Sequence, residues 1–284
     1  KMVFVSYDVY PEIAIVTNSI SESSIISILM KFVNKIVFRY VNKVVALSTE
    51  MKDYLLEHRP SLKDQQVEVI PNWYEDKNVA NKSNSYENDL FKAFKPKENF
   101  IISYFGNIGI CQDLDTILGA IRELKNDNGI KFIFAGHGNK MASLKSIVRE
   151  EKLENVYIFD FLHGQDFQDA LNISDCFLVS LIEGVTGLAV PSKTYSYMMA
   201  GKPIIAIMGR NSDISKDLIE NKAGYAVGVG HVSELINAII ELKSNEQKRK
   251  QMGKNCREIF LKKYTKEKCT NQYVDMMKRM LLEA

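Results

Sequence analysis

Lys193 is the residue around which chemistry can be built. It follows Pro191 and Ser192, and ahead of them runs a loop holding Glu183, Gly184 and Gly187. Proline presets φ for a first helical turn, and a serine side chain can satisfy an orphan backbone N–H, so 192–200 reads as a short helix. Gly201 suits the left-handed position that ends it, and Pro203 bars its continuation. A glycine loop entering a helix turns free N–H groups and the positive dipole end toward one point, which favours an anion. A lysine in that first turn opposes the dipole, and a bound anion would remove the conflict. The same features also describe an ordinary capped helix of an α/β domain.

Other candidates sit in short glycine loops. One holds Gly106, Asn107 and Gly109, with Gln112 just beyond; a second holds Gly136, His137 and Gly138; a third holds His163 and Gly164. Glycine lets backbone N–H groups approach a phosphate closely. On residue chemistry alone, His137 and His163 read as surface loop histidines. Asp8, in Ser6-Tyr-Asp-Val-Tyr-Pro-Glu12, reads as a turn or capping residue.

The elements that must position these loops alternate cleanly from residue 100 on. Strands are expected at 101–105, 131–135, 156–159, 176–181, 203–208 and 225–229. Helices are expected between and after them, at 113–126, 139–151, 166–172, 192–200, 213–220 and 232–243. Such alternation predicts a parallel, doubly wound sheet, whose ligands bind outside the carboxyl ends of the strands. Before it, strands at 2–5, 44–47 and 67–70 and helices at 25–44 and 50–58 form a smaller unit. Two helices, 246–262 and 266–282, close the chain. The expected division is a partial Rossmann-like domain at 1–75, a polar linker at 76–98, a second Rossmann-like domain at 99–264 and a C-terminal helix at 265–284. In the 25–44 helix Lys31, Lys35, Arg39 and Lys43 recur every four residues beside an apolar face. That stripe suits an anionic membrane surface or a solvated face, and it breaks the apolar run a membrane span needs.

Composition narrows the function. The 284 residues are 46% hydrophobic and 25% charged, and a net charge of +2 gives no ground for a nucleic-acid partner. Cys111, Cys176, Cys256 and Cys269 are scattered, without zinc or disulfide spacing, so no metal is expected and a reducing cytoplasm is the simplest home. Asp8 and Glu12 interrupt the first apolar stretch, so no signal peptide is read there.

The segment Val190-Pro-Ser-Lys-Thr-Tyr-Ser-Tyr-Met-Met-Ala-Gly-Lys-Pro203 resembles the nucleotide-sugar site of family 4 retaining glycosyltransferases with the GT-B fold. It is most similar to a Pro-Ser-Lys subgroup that includes bacterial O-antigen transferases of the L-fucosamine type. The resemblance covers nearly the whole chain. It implies a GT-B fold with two Rossmann-like domains and a donor cleft between them. It assigns Asp8 and Lys193 to the reaction; Glu183, in the adjacent loop, is a further candidate that reaches the sugar only if the loop folds differently from the family's, and otherwise is a solvated loop residue. Nucleotide-sugar contacts fall to Gly106, Asn107, Gly109, Gln112, Gly136, Gly138, His163, Gly184, Gly187, Ser192, Lys193, Tyr195 and Ser196. It also implies that the last helix packs back on the first domain and, because residues 1–75 supply too few strands for a GT-B acceptor domain, that roughly the first third of a full-length protein is missing.

The sequence departs from that pattern at defined positions. Asn107 and Gln112 stand where many members carry Arg and Lys, and Leu188 and Ser196 stand where two glutamates are common. Tyr7 replaces a histidine before Asp8. The electrostatic work therefore shifts toward Lys193. Asp113-Leu-Asp115 spells the metal triplet of a different glycosyltransferase fold, but acids at a helix start are explained by the dipole. The implied activity is metal-independent, retaining transfer from a UDP-sugar to a glycan or polyprenyl-linked acceptor, with no cofactor, in cell-surface polysaccharide synthesis at the inner membrane face. The alternatives are a UDP-sugar epimerase of the same fold or a non-catalytic partner subunit.

Overall fold

The computed structural model describes residues 1–76, 85–94 and 98–282. Two parallel sheets organise it. In the first, β1 (Val3–Ser6), β2 (Lys43–Ala46) and β3 (Val67–Val69) lie in the order β1-β2-β3. Its helices are α1 (Glu12–Val16), α2 (Ile25–Tyr40) and α3 (Thr49–His58). One face of this sheet packs Val44 and Ala46 against Phe38, Met51 and Leu55.

The second sheet has six strands: β4 (Phe100–Asn107), β5 (Ile130–His137), β6 (Val156–Phe159), β7 (Cys176–Ser180), β8 (Ile204–Ile207) and β9 (Gly224–Val227). Their order is β6-β5-β4-β7-β8-β9, all parallel. Strand order therefore reverses between β4 and β7, and a crevice opens at the carboxyl ends there. Two apolar layers, one on each face, account for the continuous apolar runs of these strands. The helices are α4 (Leu114–Glu123), α5 (Met141–Glu150), α6 (Gly164–Ile173), α7 (Lys193–Met199), α8 (Asp213–Glu220), α9 (Val232–Ser244) and α10 (Glu246–Ile259). A π turn at Phe260–Tyr264 leads into α11 (Lys266–Leu282). Cys269, Met276 and Met280 of α11 bury against Val45 and Ile70 of the first unit.

Local capping chemistry sets several helix starts. Ser24, Ser48, Asp113 and Ser212 accept N–H groups of their own first turns. Asp113 is buried and also bonds the Thr116 hydroxyl, so it is the cap, and Asp115 is an acid of the first turn. Among the described residues no group of three or more His, Cys, Asp or Glu is placed to hold a metal ion.

The structure differs from the expected elements most in three places. The 25–44 helix stops at Tyr40, because Val41 turns extended and Lys43 pairs with Val3 in the sheet. Lys43 therefore leaves the basic stripe; its Nζ donates to the Gln65 carbonyl and pairs with Glu68. The 76–98 linker is not all linker. Residues 77–84 and 95–97 lie outside the described residues, but Phe91 and Phe94 between them are buried on Phe159 and Tyr157. The short helix α1, which follows Pro11, has too few residues to show a period in the sequence.

Candidate active site

A cleft of about 950 Å³ lies between the two units, at the carboxyl ends of β4, β5 and β7. The second unit supplies Gly106, Asn107 and Gln112 after β4, His163 after β6, and Ser192, Lys193 and Ser196 from α7. The first unit supplies Asp8, Tyr10 and α1, with Asn72 and Trp73 from the segment that leaves it. Among the described lining residues Lys193 is the one ammonium and Asp8 the one carboxylate.

Strand β4 and α7 are locked together by Tyr197. Its hydroxyl accepts from the Phe105 N–H at 2.7 Å and donates to the Phe105 carbonyl at 3.1 Å, while its ring stacks on Phe177. This bond fixes where Lys193 emerges. The Lys193 Nζ donates to the Tyr104 hydroxyl at 2.7 Å and to the Asn107 carbonyl at 2.9 Å, and it lies 3.9 Å from the Tyr104 ring centroid. All three partners are neutral. Removal from water without a carboxylate pushes its pKa down to about 7.

The start of α7 differs from the expected cap. Ser192 adopts helical φ and ψ, and its side chain caps nothing. The N–H groups of Thr194 and Tyr195 are taken by the carbonyls of Pro191 and Ser192. The helix end thus offers fewer free donors than expected, and Lys193 is the main positive feature of the wall. Ser196 faces the cleft with its hydroxyl bonded to the Lys193 carbonyl at 2.8 Å. Tyr195 is buried beside Tyr264 and does not line the cleft, so its side chain belongs to the core.

The glycines divide in the same manner. Gly106 lines the cleft, whereas Gly109, Gly136, Gly138, Gly184 and Gly187 do not. A Cβ on Gly136 would sit 2.0 Å from the Gly106 carbonyl oxygen, and one on Gly138 2.3 Å from that of Ile108. These two glycines let the β4 and β5 loops stack; they shape the site from behind. Gly109 donates its N–H to the Gln112 side-chain oxygen at 2.7 Å, which fixes that amide beside the cleft.

Glu183 is exposed and does not line the cleft, so the structure separates it from Lys193 and Asp8. The rest of its loop turns toward the first unit. Leu188 is buried among first-unit apolar residues, and its carbonyl accepts the Val9 N–H at 2.8 Å. Asp8 bridges Ala189 beside it. Leu188 stands where the family pattern has an acid, and it anchors one unit on the other. Asp8 remains open to the cleft, with its pKa raised by the low-dielectric surroundings.

Phe161, Trp73 and Tyr10 also line the cleft, and the sequence reading missed all three. Phe161 is 47% exposed, with the rings of His163 at 4.6 Å and His137 at 5.3 Å. An exposed aromatic directly after a parallel strand, two residues from a loop histidine, was the available signal. His137 touches this ring group without lining the cleft.

Two Rossmann-like units with parallel sheets, facing each other across a cleft at their strand ends, are the GT-B fold. Residues 85–259 match the family Glycosyl transferases group 1, and the chain belongs to it. It is similar to the probable glycosyltransferase WbjE of Pseudomonas aeruginosa, at 29% identity over 226 residues, covering 79% of this chain and 55% of that protein. It is also similar to the uncharacterized glycosyltransferase MJ1069 of Methanocaldococcus jannaschii, at 23% identity over 253 residues, covering 88% and 62%. The chain thus spans little more than half the length of these relatives. Among solved structures, Anabaena Alr3699/HepE in complex with UDP-glucose superposes with a TM-score of 0.79 at 14% identity, covering 98% of this chain and 72% of that one.

Proposed function

We propose that this protein is a retaining, metal-independent glycosyltransferase that moves a sugar from a UDP-sugar to a glycan or lipid-linked acceptor in cell-surface polysaccharide synthesis. The observation that supports it best is one ammonium, held by neutral partners only, at the wall of a cleft that also holds Asp8. Breaking the anomeric C–O bond puts negative charge on the departing diphosphate, and a cation fixed beforehand at that point lowers the barrier. Lys193 takes this role, with Asn107, Gln112 and Ser196 as neutral hydrogen-bonding groups around it. Retention without an enzyme nucleophile has the acceptor attack from the leaving-group side, with the diphosphate taking its proton. Asp8, entering from the opposite unit, orients the acceptor hydroxyl. The UDP moiety is the one bound in HepE, and the polysaccharide role follows the resemblance to O-antigen transferases.

The test is calorimetric titration of UDP, with unfolding curves alongside. UDP is expected to bind and to raise the midpoint; at a hundred times its dissociation constant the linkage is about 2.7 kcal/mol. Absence of any UDP effect, with clear stabilisation by NAD instead, would remove the proposal. Turnover of a UDP-sugar to free UDP only when a glycan acceptor is added would separate the transferase from an epimerase or an inert subunit.

A further inference from the structure

Lys193 is rooted on one face of the second sheet, and its amine rests on a residue of the other. Helix α7 packs with Phe105 and Phe177 in one apolar layer. Tyr104, one residue earlier on β4, turns into the opposite layer, where its ring stacks on Phe134 with centroids 6.0 Å apart. The lysine stem crosses the end of β4 beside Gly106; a Cβ there would lie 3.7 Å from Lys193 Cε.

An ammonium has three N–H donors. The Tyr104 hydroxyl takes one at 2.7 Å and the Asn107 carbonyl another at 2.9 Å. Among the described residues the third has no partner, and Lys193 lines the cleft. The neutral amine has two donors and a lone pair. Held on the same two acceptors, it turns that lone pair to where the third N–H stood, so a proton is gained or lost without movement of the side chain. The two acceptors differ in kind. The Asn107 carbonyl is backbone and any residue would supply it, whereas the Tyr104 oxygen depends on the side chain. Tyr104 is 2% exposed. A phenylalanine would fill the same space, and a buried hydroxyl costs stability unless it is bonded. Burial also pushes the Tyr104 phenol well above its usual range, so this oxygen stays uncharged while Lys193 titrates.

We propose that Tyr104 is a positioning residue: its hydroxyl holds the Lys193 amine at the cleft wall and favours the charged form, leaving one N–H for an oxygen of an incoming diphosphate. The last clause rests on the transferase reading; the hold on Lys193 does not. The other titratable groups of the cleft are Asp8, Tyr10, Tyr74, Cys111 and His163, and Tyr197 lies behind it on α7. None of them is bonded to the Lys193 Nζ, and Tyr104→Phe leaves all of them in place. A hydroxyl acceptor binds an ammonium more strongly than an amine, so its removal disfavours the charged form.

NMR of the unliganded protein, with lysine and tyrosine labelled with carbon-13, reads this hold apart from nucleotide binding. Lys193→Ala and Tyr104→Phe identify the two signals. In the parent the Lys193 ε-carbon is expected to titrate near pH 7. The Tyr104 ζ-carbon should follow with the same midpoint, although the phenol keeps its proton there, and in Lys193→Ala it should stay flat across that range. In Tyr104→Phe the Lys193 midpoint should drop by about one pH unit, roughly tenfold in the proton's equilibrium. UDP titration reads the consequence. Tyr104→Phe should bind about fivefold more weakly at pH 7, because the charged fraction falls from about half to about a tenth. Tyr104→Phe combined with Lys193→Ala should bind like Lys193→Ala alone, since the first acts through the second. A Lys193 midpoint that Tyr104→Phe does not move, or a Tyr104 signal indifferent to Lys193, overturns the proposal. So does a loss of UDP affinity on Tyr104→Phe that is equally large without Lys193, because Tyr104 would then act by packing alone. If even the parent fails to bind UDP, the transferase reading falls, and the NMR midpoints still decide whether Tyr104 holds Lys193.

Discussion

Two sites at the boundary between the units hold ionisable groups away from water, and they do so in opposite ways. At the cleft, Lys193 rests on a phenol, an aromatic face and a carbonyl, with no counter-charge among the described residues. Behind the cleft, Glu50 at the start of α3 accepts the Asp213 N–H at 3.1 Å, and Asp213 at the start of α8 accepts the Thr49 N–H at 2.7 Å. Each acid caps the helix of the other unit. The rear pair is fully engaged within the protein and holds the units together. Among the described residues the front ammonium has no anionic partner, and it lines the cleft. In the proposed reaction an incoming diphosphate completes the front site, whereas the rear acids already accept backbone N–H groups of each other's helix.

Removing the front charge should give the largest effect. Lys193→Ala is expected to cost a charge-assisted hydrogen bond, roughly 1.5–3 kcal/mol, or about ten- to over a hundredfold in UDP affinity. Turnover should fall further, since charge on the phosphates grows toward the transition state. Lys202→Ala is the control. Its Nζ bonds the Asn172 carbonyl below the sheet, remote from the cleft, and UDP titration should not change. Parent-like UDP binding by Lys193→Ala would show that the two sites do not differ as described.

Protonation sharpens the same contrast. With its pKa lowered to about 7, part of the Lys193 population is neutral at neutral pH, and an arriving diphosphate recharges it. UDP binding above pH 7 should therefore take up protons, and affinity should fall by at most about tenfold per pH unit. Titrations in buffers of different ionisation enthalpy read the uptake directly, and Lys193→Ala should show none. Unliganded stability carries the opposite sign from a paired lysine. The unfolded chain binds the extra proton between the lowered pKa of about 7 and the ordinary lysine value of 10.5, so Lys193 makes stability rise with pH across that window. Lys193→Met should flatten that rise.

The front site was more legible in the sequence than the rear. Parallel strands buried on both faces read as apolar runs, which placed the loops after β4, β6 and β7 at one end of the sheet. Lys193 followed from its conflict with a helix dipole, although its observed partners are Tyr104 and Asn107. What escaped the sequence depends on contacts between units or on helix rotation. Leu188 is an anchor only because Val9 and Ile13 meet it. Tyr195 and Ser196 are adjacent, and a seven-residue helix shows no period that would tell which of them faces the cleft. Gly136 and Gly138 were read as phosphate contacts, yet backbone oxygens of the neighbouring loop occupy the space a side chain would need. Glu50 and Asp213 are 163 residues apart, and each alone reads as an ordinary first-turn acid.

The rear pair offers the smallest effect and the closest test of the comparison. Burial is the main cause that raises Glu50 to about 6; the N–H it accepts lowers it, and the Asp213 charge raises it again. A carboxyl whose folded pKa exceeds its unfolded value stabilises fully below the unfolded pKa, and that contribution is lost as pH rises through the folded one. Unfolding free energy should therefore carry a downward component between about pH 4.5 and 6 that belongs to Glu50. Glu50→Gln keeps an acceptor for the Asp213 N–H and cannot ionise, so that component should vanish while the cap persists. Glu50→Ala removes the cap as well and should cost about 0.5–2 kcal/mol, the usual range for a lost helix cap. Denaturant unfolding at pH 5 and pH 7 separates the two variants. If Glu50→Gln retains the parent's pH slope, the pair does not titrate as its geometry requires, and the rear seam is then held by apolar contacts such as that of Leu188. UDP affinity at fixed pH should stay within about twofold in both variants, because neither touches the cleft wall that carries Lys193.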